Sequence, residues 1–276
     1  MRILLNFFRI IFLIAGCAGV HQPQVNIIRL KGSDTMLPLT TRWAEAYMKQ
    51  HPNTSIYVAG GGSALGFKSL IKGDCDICAS SRPIQSHEAQ LLAQKYGKIG
   101  MAFLVAKDAL SIYLHPENPV QNLALDQVKA IFTGAISQWS EVGGNREPIH
   151  VVVRSPNSGT YLYFMEHVLE GQPYVSGAQI TPTTTAMVKI ISEKVNAIGY
   201  GGIAYGQNLK HCHIDNVAPT PENVRFDLYP FARYLYLYTI DTPQGEVKRF
   251  IDWVLKDGQA IVRQVGYIPI WEVQSN

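Results

Sequence analysis

The feature that most constrains this sequence is a strand end that runs into a helix start, within residues 151–164. The run Val-Val-Val at residues 151–153 is typical of a buried strand, because β-branched side chains pack well on a pleated surface. Pro156 and Asn157 predict a turn, and the apolar spacing beyond Gly159 predicts a helix. The first N–H groups of a helix lack partners within it and favour negative charge. The segment therefore predicts an anion-binding corner of an α/β sheet.

Four residues of this corner have the chemistry to hold an oxyanion. Ser158 and Thr160 carry hydroxyl donors, and Gly159 lets the backbone approach a ligand closely. Arg154 adds a planar, permanently charged fork that suits an oxyanion. An ordinary capped helix beside a surface arginine would give the same local pattern. One corner alone therefore does not distinguish an anion-binding site from a capped helix.

Three earlier segments repeat the pattern of a short strand, small hydroxyl residues and a helix-like stretch. Their polar residues are Gly32-Ser33-Asp34-Thr35, Gly60-Gly61-Gly62-Ser63 and Ser80-Ser81-Arg82-Pro83. In open α/β sheets, ligands bind at strand ends of this kind. Four such corners in one chain predict a small anion held by many hydrogen bonds.

Composition limits the class of protein. The chain has 276 residues, of which 47% are hydrophobic and 16% charged, and this balance argues against disorder. Its length suits two ordinary domains or one large domain. The formal net charge of +3 comes without a long basic run, so we expect no nucleic-acid partner.

The N-terminus has the order of an export signal, in which positive charge is followed by an apolar run and then small residues. The apolar run is too short to span a bilayer. Residues 14–17, Ile-Ala-Gly-Cys, resemble the lipobox of bacterial lipoproteins, which implies cleavage before Cys17 and lipidation of that residue. The alternative is a plain signal peptide that happens to contain Cys17. We expect residues 1–24 to be signal and tether, and the protein to be lipid-anchored in the periplasm or at the cell surface.

The other cysteines predict neither a redox pair nor a metal centre. Cys75 and Cys78 have CxxC spacing but lie in a predicted strand, where residues three apart point to opposite faces. A redox pair needs a helix N-terminus to lower its thiol pKa, so we interpret both as packing residues. Cys212 lies between two histidines in a segment that we interpret as an exposed loop, with no second ligand cluster. We therefore expect no metal and no cofactor.

The motifs also occur in a recognisable order. They are Gly-Ser-Asp-Thr-Met with Pro38, Gly-Gly-Gly-Ser with Gly66-Phe67, Ser-Ser-Arg-Pro, Arg-Ser-x-x-Ser-Gly-Thr and Ile-Gly-Tyr. This succession, from Asn26 to the C-terminus, resembles the substrate-binding proteins of bacterial phosphate ABC importers. The resemblance implies an α/β, two-lobed periplasmic-binding-protein fold (type II), with two mixed sheets flanked by helices and the ligand cleft between the lobes.

The chain would then cross between the lobes twice. We expect residues 25–107 and 235–276 to form lobe I and residues 108–234 to form lobe II. Strand patterns are expected at residues 101–105, 109–114 and 234–239, and we place the crossings at residues 107–114 and 234–239. Closure of the cleft would be a hinge motion within these crossings.

The resemblance also implies a function and a site. A monomer of this family holds one inorganic phosphate, does no chemistry on it, and delivers it to the membrane subunits of an ABC permease. Carried over to this sequence, with Asp34 and Arg82 added as candidates, the phosphate-binding set is Ser33, Asp34, Thr35, Met36, Ser63, Ser81, Arg82, Arg154, Ser158, Gly159 and Thr160.

One departure from the family concerns the proton of the ligand. Long members have an aspartate in the third corner that accepts this proton, whereas this chain has Ser80-Ser81-Arg82. We take Asp34 as the candidate acceptor, and its alternative role is to cap the following helix. Arg82 either contacts the anion or pairs with a nearby carboxylate.

Three alternative functions remain open from the sequence. The ligand could be sulfate or another tetrahedral oxyanion, or the protein could bind its ligand without a permease. In a different class, it could be an exported hydrolase with Ser63 or Ser158 as nucleophile. Neither serine has the Gly-x-Ser-x-Gly frame, and no histidine is identified by its position as a base.

Overall fold

The computed structural model describes residues 25–271, so the predicted signal, tether and Cys17 lie outside it. The strands are β1 (Asn26–Gly32), β2 (Thr54–Ala59), β3 (Ile77–Ser80), β4 (Met101–Leu114), β5 (Asn122–Leu123), β6 (His150–Arg154), β7 (Gln179–Thr181), β8 (Ala197–Gly202), β9 (Lys210–Ile214) and β10 (Ala232–Thr239). The helices are α1 (Leu37–Gln50), α2 (Ser63–Lys72), α3 (Ser86–Tyr96), α4 (Leu125–Thr133), α5 (Gly159–His167), α6 (Thr184–Glu193), α7 (Pro221–Arg225), α8 (Gly245–Leu255) and α9 (Gln259–Val265). None of the helices in residues 25–271 has the length and apolar character needed to cross a bilayer.

The strands follow the order β2-β1-β3-β10-β4-β8-β6-β7. On one side, β1 pairs in parallel with β2 and β3, and on the other, β6 pairs in parallel with β7 and β8. Between them, β10 and β4 run antiparallel to their neighbours. The mixed α/β fold is confirmed, and the two predicted sheets are joined through β4 into one path.

β4 is a single strand of 14 residues, although the sequence indicated two separate strands. Its first part, to Ala109, pairs with β10, and its last part, from Leu110, pairs with β8. The charged residues Lys107 and Asp108 interrupt the apolar pattern in the middle. Asp108 is nevertheless fully buried, because Arg233 lies directly opposite it on β10.

The apolar core divides into two main groups of buried side chains. One is built around Trp43, Tyr47 and Phe250, and the other around Phe132 and Phe164. Along β4 and β10 the change from one group to the other falls close to the predicted lobe boundaries. We therefore keep the names lobe I for residues 25–107 and 235–271 and lobe II for residues 108–234.

Local sequence explains where the helices begin and end. In α1, Leu39, Trp43 and Tyr47 recur at a spacing of four and are fully buried along one face. α2 ends at Gly73, whose φ of 88° lies in the left-handed region that glycine adopts without a Cβ penalty. α5 begins after Ser158, whose Oγ accepts hydrogen bonds from the helix N–H groups. These local signals are what made the helix predictions possible.

Two predictions about the cysteines are wrong. Cys75 lies before β3 rather than within a strand, and Cys212 is buried in β9 rather than exposed in a loop. All three cysteines in the described range are free. Burial raises the pKa of Cys75 and Cys212 to about 12 and the pKa of Cys78 well above its ordinary value. The thiols are therefore protonated packing groups at neutral pH, which agrees with the packing interpretation.

Candidate anion-binding site

The four predicted corners converge on one place. Three of them follow the carboxyl ends of β2, β1 and β3, which are parallel neighbours and therefore end at the same edge of the sheet. The fourth follows β6 in lobe II and faces them across the cleft. Thr35 Oγ1 of the first corner lies 2.9 Å from Thr160 Oγ1 of the fourth. The cleft is therefore closed, with the corners in direct contact.

Further hydrogen bonds join the two lobes around this contact. Asn157 Nδ2 donates to the carbonyl oxygen of Gly61 at 2.7 Å, and the Ala64 N–H donates to the Asn157 carbonyl at 3.2 Å. The Tyr205 hydroxyl donates to the Asp34 carbonyl at 2.7 Å. Each of these bonds crosses from lobe I to lobe II, so opening the cleft would break them together.

Gly159 lies at the narrowest part of the site. A Cβ at this position would lie 2.2 Å from Ser63 Oγ and 2.8 Å from Ser81 Oγ, which is too close for any side chain. Ser63 Oγ also accepts a hydrogen bond from the Ser81 N–H at 3.2 Å. Two serine hydroxyls of lobe I thus face the backbone at the start of α5, where only glycine fits.

The fourth corner has the geometry of a helix N-terminus. Ser158 Oγ accepts from the N–H groups of Thr160 at 3.2 Å and Tyr161 at 3.4 Å. Ser158 is therefore the N-cap of α5 and lies where an anion would meet the helix dipole. The hydroxyl is already an acceptor in two long bonds, so its own O–H remains a donor.

Arg154 is almost entirely buried, and three groups fix its guanidinium. Nη1 donates to Thr184 Oγ1 at 2.7 Å, and Nη2 donates to Asp34 Oδ2 and to the Pro182 carbonyl, both at 2.9 Å. Burial lowers the pKa of Arg154, and the charge of Asp34 opposes this change. Arg154 Nε is one of two buried side-chain polar atoms in residues 25–271 without a hydrogen-bond partner. A buried donor of this kind is costly unless an acceptor reaches it.

Asp34 does not cap α1. Its Oδ2 accepts from Arg154, and its Oδ1 accepts from the Gly61 N–H at 2.8 Å. It therefore connects two corners of lobe I and orients an arginine of lobe II. Each carboxylate oxygen has a second lone pair, so a further donor can still bind.

Arg82 pairs with a carboxylate, which is one of its two predicted roles. Its Nη1 and Nη2 donate to the two oxygens of Glu88 at 2.8 and 2.7 Å, and both side chains are buried. Nη1 also donates to the Pro83 carbonyl at 2.9 Å. This bidentate pair lies within lobe I and anchors the start of α3.

The backbone N–H groups of two other predicted residues, Ser33 and Met36, bond to carbonyl groups of the protein. The Met36 N–H donates to the Ser33 carbonyl at 3.1 Å, so this expected anion donor is occupied within its own corner. The Met36 side chain is fully buried in the apolar core of lobe I. The Ser33 N–H donates to the Ala79 carbonyl at 2.9 Å, which ties the first corner to the third.

Sequence reasoning missed a second arginine. Arg233 on β10 is buried, and its Nη1 lies 3.1 Å from Thr160 Oγ1 and 3.4 Å from the Ser81 carbonyl oxygen. The sequence signal that indicates such a pair is a charged residue inside each of two largely apolar strands, Arg233 in β10 and Asp108 in β4. The two residues are 125 apart in sequence, so no local pattern connects them.

Ser63 and Ser158, the candidate nucleophiles of the alternative hydrolase, both lie in these corners. Among the hydrogen bonds of residues 25–271, no histidine contacts the hydroxyl of Ser63 or Ser158. One histidine–serine contact, between His211 Nδ1 and Ser111 Oγ at 2.9 Å, lies inside lobe II away from the corners. The described residues also contain no cluster of three His, Cys, Asp or Glu side chains that could hold a metal ion.

Comparison with known proteins extends these observations. The family model of the PBP superfamily domain matches residues 19–257. The phosphate-binding protein PstS of Pseudomonas aeruginosa is 32% identical over 267 residues, which cover 87% of this chain and 81% of that protein.

Two solved structures are similar along almost the whole chain. One is a phosphate ABC transporter substrate-binding protein with bound phosphate from Clostridium perfringens, with a TM-score of 0.83 and 31% identity, covering 89% of this chain and 100% of that one. The other is an ABC-type phosphate transport receptor from Vibrio cholerae, with a TM-score of 0.73 and 28% identity, covering 87% and 99% of the two chains. At this coverage the similarity includes parts of both lobes.

Proposed function

The chain belongs to the PBP superfamily and, within it, to the phosphate-binding proteins, and from this we propose that it binds one inorganic phosphate in its interlobe cleft for delivery to an ABC-type permease. The observation that carries the proposal is the convergence of the Ser63 and Ser81 hydroxyls of lobe I on Gly159 at the start of α5 in lobe II, next to the contact between Thr35 and Thr160. A tetrahedral anion accepts hydrogen bonds from all sides, and these groups come from both sides of the cleft.

The donors fit a small anion better than a larger ligand. Hydroxyls of Thr35, Ser63, Ser81 and Thr160 lie within one cluster and are almost completely buried. Hydrogen bonds to a charged acceptor strengthen when water is excluded. The corners already touch each other in the closed cleft, so a large ligand could not be enclosed between them without opening it.

Arg154 supplies the permanent charge. Its Nη groups are held by Asp34, Thr184 and Pro182, while the buried Nε has no protein acceptor. An anion that reached the guanidinium would satisfy this donor. The paired Asp34 keeps the cleft close to neutral, so affinity would depend on directed hydrogen bonds more than on net charge.

Discrimination between phosphate and sulfate needs a group that accepts the proton of hydrogen phosphate. We infer that Asp34 has this role, because the third corner contains Ser81 instead of a carboxylate. Asp34 lies at the edge of the cluster and retains lone pairs beyond its bonds to Arg154 and Gly61. Sulfate has no proton to donate, and it would meet only repulsion from this carboxylate.

Release of the ligand would follow from hinge motion in β4 and β10. The interlobe hydrogen bonds of Asn157 and Tyr205 are neutral, and each contributes about 0.5–1.5 kcal/mol to closure. Together with the Arg154–Asp34 ion pair and the Thr35–Thr160 contact, these are interactions that a permease would have to break by binding the two lobes. We also propose export through the N-terminal signal, lipid anchoring at Cys17 and action as a monomer that binds without catalysing a reaction.

The test is isothermal titration of the purified protein after it has been stripped of bound ligand by unfolding and refolding. We expect a one-to-one phosphate isotherm that excess sulfate does not displace. Binding of sulfate but not phosphate would keep the fold and replace the ligand. No binding of any oxyanion would refute the proposal. A chromogenic phosphate ester serves as the control for hydrolysis, and turnover lost on mutation of Ser63 or Ser158 would favour the enzyme.

A further inference from the structure

A buried ion pair on the strands that cross between the lobes contacts the cluster of hydroxyls formed by Thr35, Ser63, Ser81 and Thr160. Arg233 on β10 and Asp108 on β4 lie opposite each other in the antiparallel register, and both side chains are almost completely inaccessible to solvent. Arg233 donates to Asp108 Oδ2 through Nε at 3.0 Å and through Nη2 at 2.8 Å. Asp108 Oδ1 accepts from the Ile203 N–H at 3.1 Å. The guanidinium is thus fixed along one edge.

The remaining edge of Arg233 points to the site. Nη1 donates to Thr160 Oγ1 of lobe II at 3.1 Å and has a longer contact, 3.4 Å, with the Ser81 carbonyl of lobe I. The Tyr163 ring lies beneath the guanidinium, 5.6 Å from its carbon. Arg233 therefore contacts both walls of the cleft from the crossing strand.

The direction of these hydrogen bonds follows from the chemistry of the groups. An arginine has only donors, so Thr160 Oγ1 must act as the acceptor in its bond with Arg233. The hydroxyl proton of Thr160 then points away from the cation, on the side of the cleft where Thr35 Oγ1 lies 2.9 Å away, and either hydroxyl can be the donor between these two. A free hydroxyl rotates between donor and acceptor roles, whereas this one is held as a donor facing the cleft.

We propose that Arg233, held in place by Asp108, is a positioning residue that keeps the Thr160 hydroxyl pointed as a donor at the bound anion. The inference rests on the proposed function, since it assigns how one ligand-facing group of that site is oriented. It also explains why a desolvated ion pair is kept on the crossing strands, where replacement by apolar residues usually costs little or stabilises.

The test is a double-mutant cycle on phosphate affinity, measured by isothermal titration. Arg233→Met combined with Asp108→Asn removes both charges together, so no buried charge is left unpaired. We expect this pair variant, and Thr160→Val alone, each to weaken phosphate binding about 10- to 100-fold, the equivalent of one hydrogen bond to a charged group. The pair variant combined with Thr160→Val should bind no more weakly than Thr160→Val alone.

Two measurements separate positioning from a purely structural role. The free energy of unfolding of the ligand-free variants in denaturant records any loss of stability independently of affinity. Arg233→Lys keeps a donor for Thr160 and should recover part of the affinity that the pair variant loses. As matched controls, Arg29→Met with Asp76→Asn makes the same change at an exposed ion pair, and Thr133→Val removes a hydroxyl that bonds only to backbone carbonyls of α4. Both controls should bind phosphate as the wild type does.

The inference is overturned if the pair variant binds phosphate within about twofold of the wild type. It is also overturned if the fold-loss of phosphate affinity in the combined variant equals the product of the fold-losses of the pair variant and of Thr160→Val. Either result, with normal binding by the wild type, leaves the proposed function intact. Absence of oxyanion binding by the wild type itself would refute the proposed function and this inference together.

Discussion

Replacement of Arg154 by alanine is the sharpest test of the site. This side chain is a proposed ligand of the anion, and it also bonds to Asp34 across the closed cleft. The substitution removes the bonds to Thr184, Pro182 and Asp34, as well as the buried Nε that has no protein acceptor. It also leaves Asp34 with the Gly61 N–H as its remaining hydrogen-bond donor, inside a largely buried cleft. The anion would thus lose a cation and face an uncompensated carboxylate.

The expected magnitude follows from these contacts. Truncating one partner of a buried, hydrogen-bonded charge pair costs about 2–5 kcal/mol of binding, which corresponds to a loss of phosphate affinity of about 30-fold to several thousand-fold. Arg154→Lys keeps the charge but replaces the planar fork, whose Nη1 and Nη2 bond to different groups, by a single nitrogen, so we expect a loss of about 10- to 100-fold. If repulsion from the unpaired Asp34 carboxylate contributes to the loss of affinity, Arg154→Ala combined with Asp34→Asn should bind phosphate more tightly than Arg154→Ala alone.

Isothermal titration of ligand-free protein gives these affinities, and circular dichroism with denaturant unfolding shows whether each variant is folded. Arg29→Ala, which removes an exposed arginine from an ion pair on β1, is the matched control and should bind phosphate normally. An Arg154→Ala variant that is folded and binds phosphate as tightly as the wild type would remove Arg154 from the site and refute the reasoning.

Three further predictions concern selectivity, closure and pH. Asp34→Asn should strengthen sulfate binding relative to phosphate in competition titrations, and an unchanged ratio would exclude Asp34 as the proton acceptor. Asn157→Ala removes a neutral hydrogen bond across the cleft, so phosphate affinity should fall about 2- to 12-fold. Small-angle scattering should also show a larger open population, and an affinity and shape equal to those of the wild type would contradict this prediction. Burial raises the pKa of Cys75 and Cys212 to about 12 and that of Cys78 well above its ordinary value, whereas the unfolded value is about 8.5. The stabilising contribution of these thiols is therefore complete below about pH 8.5, and that of Cys75 and Cys212 is lost towards pH 12. Native protein should therefore resist thiol alkylation at pH 8 and become less stable to denaturant above pH 9, whereas rapid native alkylation would show that the thiols are accessible.

Much of the local structure was predictable because its causes lie within short segments. The N-cap role of Ser158, the end of α2 at Gly73 and the buried face of α1 follow from caps, glycine conformation and apolar spacing. The strand-end corners were visible for the same reason. Cys212 was misinterpreted because two flanking histidines suggested exposure, while pairing of β9 with β4 buries the residue.

The partners of the charged side chains were not predictable. Arg82 could have contacted the anion, but Glu88, six residues away, takes its guanidinium in a buried pair. Asp34 could have capped α1, but it pairs with Arg154, 120 residues further along the chain. Each alternative was chemically sound, and the choice between them depends on distances that sequence spacing does not contain.

Local sequence was enough to predict most of the helices, the strands that lead into the four corners and the residue types that these corners present, since these depend on interactions within about one helical turn or one β-turn. The pairing of Arg233 with Asp108 and the close approach of Gly159 to Ser63 and Ser81 depend on the tertiary structure. Such contacts exist only after the lobes have packed and the strands have taken their register. They join residues whose separation in sequence carries no information about their separation in space.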